Sequence, residues 1–279
     1  MTDRTTNHPA APILVTGGTG TLGHHVVERL RRAGRPVRVL SRSGVGHDPD
    51  LALVRGDLET GEGIDAAVRG AEVIVHLAGT MKGDEVKARN LVDAAARAGG
   101  IRHVVYISVV GADTMPVESA IDRATVGYFA SKHAAERIIA ESGFPWTILR
   151  ATQFHDLALK TVAAMARMPV VPAPKGWRLQ PVDPREVADR LVQLADGEPA
   201  GYVPAIGGPR IYAMTELVRS YLHVMAKRRP IVELPMPGKG AAAYRAGANL
   251  APDRAVGRIS WEEFLAERLS SPIDHRAAA

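Results

Sequence analysis

Residues 13–27 read ILVTGGTGTLGHHVV, with four glycines and three threonines set between two apolar runs. A packed core gains nothing from so many positions without side-chain bulk, so the stretch calls for exposed backbone. Gly18, Gly20 and Gly23 fit G-x-G-x-x-G, while Gly17, Gly20 and Gly23 also fit G-x-x-G-x-x-G. With 27 glycines in the chain such spacings arise by accident. Context gives this one its weight: it closes an apolar run and opens a helical one, as a phosphate-binding turn does. Early glycines permit the tight turn and let a diphosphate approach the backbone, and the last lets helix and strand pack closely. The free N–H groups of the helix start then face the anion.

Outward from this turn, apolar runs begin at Pro12, Val37, Ala52, Val73, His103 and Trp146, each of the near-continuous kind found where both sheet faces are covered. Helical stretches at 24–33, 61–68, 84–98 and 126–141 separate them. The alternation predicts an α/β fold with a doubly wound parallel sheet of the Rossmann type. After Arg150 the rhythm breaks into a helix at 154–166, a Pro-rich strand pair within 168–182, a helix at 184–196, a strand from Gly201, and helices at 215–226 and near 260–269. The expected division is a dinucleotide-binding domain of residues 12–151 and 181–206, with a small substrate lobe of residues 152–180 and 207–275 over its carboxyl edge.

The chain has 279 residues, 46% hydrophobic and 23% charged, enough for one large domain with an appendage and a well-buried core. The absence of cysteine excludes disulfides and thiolate metal sites and suits a reducing compartment. The first dozen residues are polar, and no run approaches the ~20 apolar residues that span a bilayer. A soluble, cytoplasmic protein with loose ends is expected, without a membrane partner. The net charge of +5 is spread among acids, and its densest groups, RLRRAGRPVR at 29–38 and KRR at 227–229, lie near helix ends. They read as solvated helix faces rather than a nucleic-acid stripe. His24 and His25 are adjacent and share no helix face, so no metal pair is expected there. The partner expected is a small-molecule substrate; oligomeric state stays open.

The strand ends indicate which dinucleotide. After the second strand stand Ser41, Arg42 and Ser43, with no acid before Asp48. An NAD site places a carboxylate there, whereas a guanidinium at Arg42 grips a 2'-phosphate, so NADP(H) is favoured, with NAD(H) as the alternative. Asp57 and Leu58 follow the third strand, where the carboxylate would accept from the adenine amino group or cap the next helix. Leu77, Ala78 and Gly79 follow the fourth and leave room for the adenine-ribose half. Further along, Tyr128 and Lys132 lie four apart on one helical face. There the ammonium would lower the phenol's pKa from about 10 and leave Tyr128 as a general acid toward a carbonyl.

Taken together, TGGTGTLG, SRS, GDL, HLAG, YISVVGAD, Tyr128 with Lys132, PWTILRATQFHD, LQPVDPREVAD and IGGP span nearly the whole chain. On these the chain resembles the short-chain dehydrogenase/reductase superfamily, in the atypical branch of NmrA-like and isoflavone-reductase-like proteins. The resemblance implies an NADP(H) site on Gly17, Thr19, Gly20, Thr21, Leu22 and Arg42. It puts the nicotinamide near Lys132, Gln153 and Phe154, with His155 and Val110 on the substrate side. The alternative reading of His155 is a helix-start hydrogen-bonding residue. Family enzymes often carry a Ser or Thr just past the fifth strand, yet Ser108 is followed here by Val109, Val110 and Gly111. That leaves Ser108 itself, Tyr128 alone, or no catalysis. Ala151 stands where a proline commonly follows the arginine, which would loosen the hinge into the lobe. Trp146, Trp177 and Trp261 read as packing, with Trp177 near the pocket. The activity implied is an NAD(P)H-dependent reductase moving hydride to a small, mostly apolar carbonyl or conjugated substrate. A non-catalytic NADP(H)-binding redox sensor is the alternative, and a nucleotide-sugar epimerase is disfavoured by the short lobe.

Overall fold

The computed structural model describes residues 11–44 and 51–269; Asp48 and the chain ends, expected above to be loose, lie outside them. The first half alternates as expected: β1 (Ile13–Thr16), α1 (Gly23–Arg32), β2 (Val37–Ser41), β3 (Ala52–Arg55), α2 (Ile64–Val68), β4 (Val73–His76), α3 (Asp84–Ala98), β5 (His103–Val109), α4 (Ala120–Ala140) and β6 (Trp146–Ala151). There follow α5 (His155–Met165), β7 (Val171–Pro174), β8 (Arg178–Leu179), α6 (Pro184–Asp196), β9 (Gly201–Tyr202), β10 (Tyr212–Ala213), α7 (Met214–Val224), β11 (Ile231–Leu234), α8 (Lys239–Ala246) and α9 (Trp261–Leu269).

Seven strands form one sheet in the order β3-β2-β1-β4-β5-β6-β9, every pairing parallel. The order reverses between β1 and β4, which opens a crevice at their carboxyl ends. Because the strands are apolar on both sides, each face takes a helix layer. Ile13 and Val15 pack with Val26 and Leu30 of α1 and Val187 and Leu191 of α6; Leu14 and Ile74 pack with Leu91 of α3 and Ile139 of α4. Each such side chain contributes ~1.5–3 kcal/mol on burial. Within 181–206, α6 packs against α1 and β9 pairs beside β6.

Three expectations change. Helix α4 begins at Ala120 rather than 126, because Ser119 and Asp122 form a capping box that starts it before its apolar stripe begins. The Pro-rich strands do not pair with each other: β7 runs parallel to β11, and β8 antiparallel to β10. Alternation along β7 puts the N–H groups of Val171 and Ala173 on one edge and the donor-less Pro172 and Pro174 on the other, so one side alone can carry a ladder. Ala151 loosens nothing, since it is buried, pairs with Val109 and bridges to Ile206.

Beyond β6 a separate core gathers Val162 of α5, Leu217, Val218 and Tyr221 of α7, Tyr244 of α8, and Trp261, Phe264 and Leu265 of α9. It reaches the sheet domain through Val126 and Phe129 of α4. No helix among the described residues is long and apolar enough to cross a membrane.

The β1–α1 turn depends on Gly23. A Cβ there would lie 2.0 Å from the Gly17 carbonyl oxygen and 2.6 Å from the Gly18 Cα. Gly23→Ala is expected to destabilise the protein by about 3 kcal/mol or more, read as a lower urea midpoint, because backbone rather than a movable side chain blocks the methyl.

Candidate active site

The glycine turn divides by function. Gly17 takes φ +70°, and a Cβ on it would lie 2.7 Å from the Ala78 nitrogen; one on Gly18 would lie 2.8 Å from the Val39 side chain. With Gly23, these positions are bare because the protein packs against them. Gly20 is exposed, and a Cβ on it would meet only the Gly17 oxygen, at 3.3 Å. Its bareness serves the crevice. Thr19 and Thr21 beside it are exposed, whereas the Leu22 side chain is buried in the core and offers only its peptide. Helix α1 starts at this point without a side-chain cap and without an acid in its first turn. An uncapped helix start beside a backbone cradle fits a diphosphate.

Arg42 is exposed at the end of β2, next to Ser41, whose hydroxyl lies 3.1 Å from that of Ser43. Asp57 accepts from the Glu59 N–H at 2.8 Å within a local turn, and α2 takes Gly63 as its N-cap, so the capping alternative does not hold. Leu58 is buried and Leu77 half-buried in the cores on either side of the sheet, leaving backbone as what they can offer a ligand. Ala78 and Gly79 edge the crevice, half-buried and exposed.

Helix α4 brings Lys132 beneath the same edge. The lysine is 4% exposed; its Nζ lies 3.1 Å from Asp84 Oδ2 and donates to the Tyr106 hydroxyl and the Ile107 carbonyl, each at 3.3 Å. Tyr106, fully buried on β5, stacks on His76 at 5.2 Å, and His76 Nδ1 shares a 2.6 Å hydrogen bond with the Thr16 hydroxyl. A buried polar line thus runs from α3 through α4, β5 and β4 to the last residue of β1. Burial, with Lys132 adding to it, lowers the His76 pKa to about 3 and keeps the ring neutral. Burial also opposes the charge on Lys132, but its neighbours reverse this and raise its pKa. At neutral pH the phenols are uncharged, so Asp84 is the neighbour that holds the ammonium.

Tyr128 lies one turn above Lys132, its ring centre 5.9 Å from Nζ. Burial raises its pKa, and the pull of Lys132 in the other direction does not overcome this. The expected lowering of the phenol is therefore not observed, and Tyr128 stays a protonated donor. Strand alternation puts Ser108 on the same face as Tyr106, one step nearer the crevice. Its hydroxyl is buried without a hydrogen-bond partner among the described residues. Val110, half-buried just past β5, donates its N–H to the Ala151 carbonyl.

Other residues from the sequence reading point elsewhere. Gln153 is buried; its Nε2 donates to the Asn249 carbonyl at 3.3 Å and its Oε1 accepts from the Gln180 N–H at 3.4 Å, so its amide is engaged in tying the chain just past β6 to two distant segments. Phe154 packs against the sheet core. His155 is fully buried, stacked on Phe264 at 4.8 Å and Trp261 at 6.1 Å, with neither ring nitrogen hydrogen-bonded among the described residues. It is a stacking residue of the lobe, neither a helix-start hydrogen-bonding residue nor a ligand toward substrate. Trp177 stacks on Tyr244 at 4.2 Å, and edge contacts continue through Phe129 to Tyr128. His24 and His25 touch, ring centres 3.7 Å apart, yet no group of three potential metal ligands occurs among the described residues.

Asp84, Tyr106, His76 and Thr16 escaped the sequence reading. Asp84 looks like an ordinary acidic residue in a first helical turn, and only its distant lysine partner makes it a buried charge.

Residues 17–196 match the family model described as NAD(P)H-binding. A ceramide reductase of Caulobacter vibrioides is 30% identical over 246 residues, 81% of this chain and 74% of that protein. A (4-alkanoyl-5-oxo-2,5-dihydrofuran-3-yl)methyl phosphate reductase of Streptomyces griseus is 31% identical over 234 residues, 80% of this chain and 77% of that protein. In fold, the chain is similar to an NADPH-dependent quinone oxidoreductase of Escherichia coli solved with NADPH, at a TM-score of 0.75, 18% identity, and coverage of 93% of this chain and 100% of that one.

Gly20→Ala is expected to leave the urea midpoint nearly unchanged, within about 1 kcal/mol, while weakening NADPH binding about tenfold or more by calorimetry, because its methyl enters the cradle. For His155, burial lowers the pKa from 6.5 to about 4. The unfolded chain binds the extra proton between those values, so the stability this histidine supports is complete above pH 6.5 and is lost as pH falls toward 4. His155→Phe keeps the stack and removes the titration; chemical denaturation should show a shallower loss of stability over that interval, by roughly 2–3 kcal/mol.

Proposed function

The chain belongs to the NAD(P)H-binding family and is an NAD(P)H-dependent oxidoreductase; we propose that it is of the atypical, NmrA-like kind of short-chain dehydrogenase/reductase and uses NADPH to reduce a small, mostly apolar carbonyl or conjugated substrate. The observation that carries the reading is the group of polar side chains at the carboxyl end of β5: a buried ammonium at Lys132, a protonated phenol one turn above it at Tyr128, and the unpartnered Ser108 hydroxyl two residues past the Tyr106 that Lys132 donates to.

The diphosphate would rest on Thr19, Gly20 and the peptides of Thr21 and Leu22, with the 2'-phosphate on Arg42. When bound, the nicotinamide supplies the hydride. Lys132 holds positive charge where the ribose hydroxyls and the reacting centre arrive. Ser108 has a free O–H to polarise a substrate oxygen and takes the place of the hydroxyl missing at Val109 and Val110. Tyr128 donates the proton that completes the reduction. The aromatic run from Trp177 through the buried Tyr244 and Phe129 to Tyr128 supports an apolar substrate, since the phenol is seated against rings that offer few hydrogen bonds. Two relatives are named for reductions, of ceramide and of an alkanoyl furanone phosphate, which supports the reductive direction.

Consumption of NADPH, followed by its absorbance across aldehydes, ketones and quinones, tests the reading. Tyr128→Phe is expected to lower kcat/KM by about 100-fold while NADPH binding stays within about twofold. Arg42→Ala is expected to weaken NADPH about tenfold and leave NADH unchanged. Tight NADPH binding with no turnover over the whole panel would overturn the enzyme reading in favour of the sensor.

A further inference from the structure

We propose that Asp84 is the positioning residue of this site, a buried carboxylate that keeps Lys132 an ammonium and fixes it beneath Gly79 at the crevice edge; the inference rests on the reading of Lys132 given above.

Asp84 is fully buried in the first turn of α3 and is held from several sides. The Thr80 N–H donates to its Oδ1 at 2.8 Å, and its own N–H donates to the Ser131 hydroxyl at 3.0 Å, which in turn donates to Glu85 at 2.6 Å. The carboxylate therefore cannot follow the lysine, and the lysine must come to it. Gly79 closes the arrangement: a Cβ there would lie 2.9 Å from Lys132 Nζ and 3.1 Å from Asp84 Oδ2, so any side chain would wedge the pair apart. The backbone of the fourth strand end, the carboxylate and the ammonium thus form one unit at the crevice.

The charges around Lys132 leave Asp84 as its source of stabilisation. Asp84 faces it from α3, with Lys87 on the other side of that carboxylate, Tyr106 from β5, Tyr128 from α4 and His76 from β4. The phenols and the imidazole are neutral at neutral pH. Lys87 is a like charge, 3.5 Å from Asp84 Oδ1, and is partly balanced by Glu59 at 3.2 Å. Without the Asp84 charge, an ammonium buried among these groups would lose its proton far more readily. A neutral amine would then stand where the dinucleotide requires a cation.

Side-chain NMR of the full-length protein without cofactor, with the lysine signals assigned through bonds, reads the ionisation of Lys132 directly. Wild type should keep the ammonium beyond about pH 10, and Asp84→Asn should bring its midpoint to about pH 8. Calorimetry with NADPH gives a second readout. Wild-type affinity should not change with pH on account of Lys132, whereas Asp84→Asn should bind near normally at about pH 6 and about tenfold more weakly by about pH 9. A Lys132 midpoint unchanged in Asp84→Asn, or a loss of affinity equal at every pH, overturns the inference. If Asp84→Asn does not fold, Gly79→Ala takes the same NMR titration: a lowered midpoint supports the inference, and an unchanged one overturns it. Lys132→Met separates the two readings. Unimpaired NADPH binding in that variant overturns the site reading and the binding half of this inference with it, whereas impaired binding beside an unshifted Asp84→Asn overturns this inference alone.

Discussion

The molecule turns on the contact between the backbone of Gly17 and that of Ala78, where the first and fourth strands of the parallel sheet end side by side. Their close approach leaves no room for a Cβ, as the 2.7 Å distance from a Gly17 methyl to the Ala78 nitrogen shows. Gly23 closes the same turn from the helix side. With side chains excluded there, α1 starts directly over the switch point and presents its uncapped N–H groups to the crevice. The crevice exists because the strand order reverses at this place, so the turn and the topology require each other.

Beneath that turn the protein keeps a buried line of polar groups, Thr16, His76, Tyr106, Lys132 and Asp84. Buried polar groups cost free energy unless each finds a partner, and a buried charge costs more. Here Thr16 and His76 share a hydrogen bond, Tyr106 stacks on His76 and accepts from Lys132, and the line ends in the Lys132–Asp84 ion pair at the crevice edge, while His76 Nε2 has no hydrogen-bond partner among the described residues. Ser108, one step nearer the crevice, has an unpartnered hydroxyl. A core built for stability alone would not keep such groups so close together, whereas a site that handles hydride and proton needs a fixed cation and a hydroxyl that is free to donate.

The lobe follows a different logic. Its core is aromatic and aliphatic, it reaches the sheet domain through Phe129, and the amides of Gln153, Gln180 and Asn249 tie three distant segments of it together. His155 belongs to this packing: flat and neutral, it stacks with both Trp261 and Phe264, which also stack on each other. The side chains that resemblance placed around the nicotinamide thus belong partly to the joint between the two parts.

Local pattern determined much of this. Apolar runs separated by helical periods gave the six long strands and their helices, and the Gly-rich turn located the crevice, because sheet order and phosphate binding both leave short-range marks. Tyr128 and Lys132 were legible too, since four-residue spacing on a helix is a local property. What tertiary structure decided is which polar groups meet. Asp84 became the partner of Lys132 across two helices, Gln153 turned to Asn249 almost a hundred residues away, and β7 found β11 rather than β8. Burial likewise raised the Tyr128 pKa against the pull of its lysine. These outcomes depend on distance in space and on exclusion of water, and neither is written in the order of residues until the chain has folded.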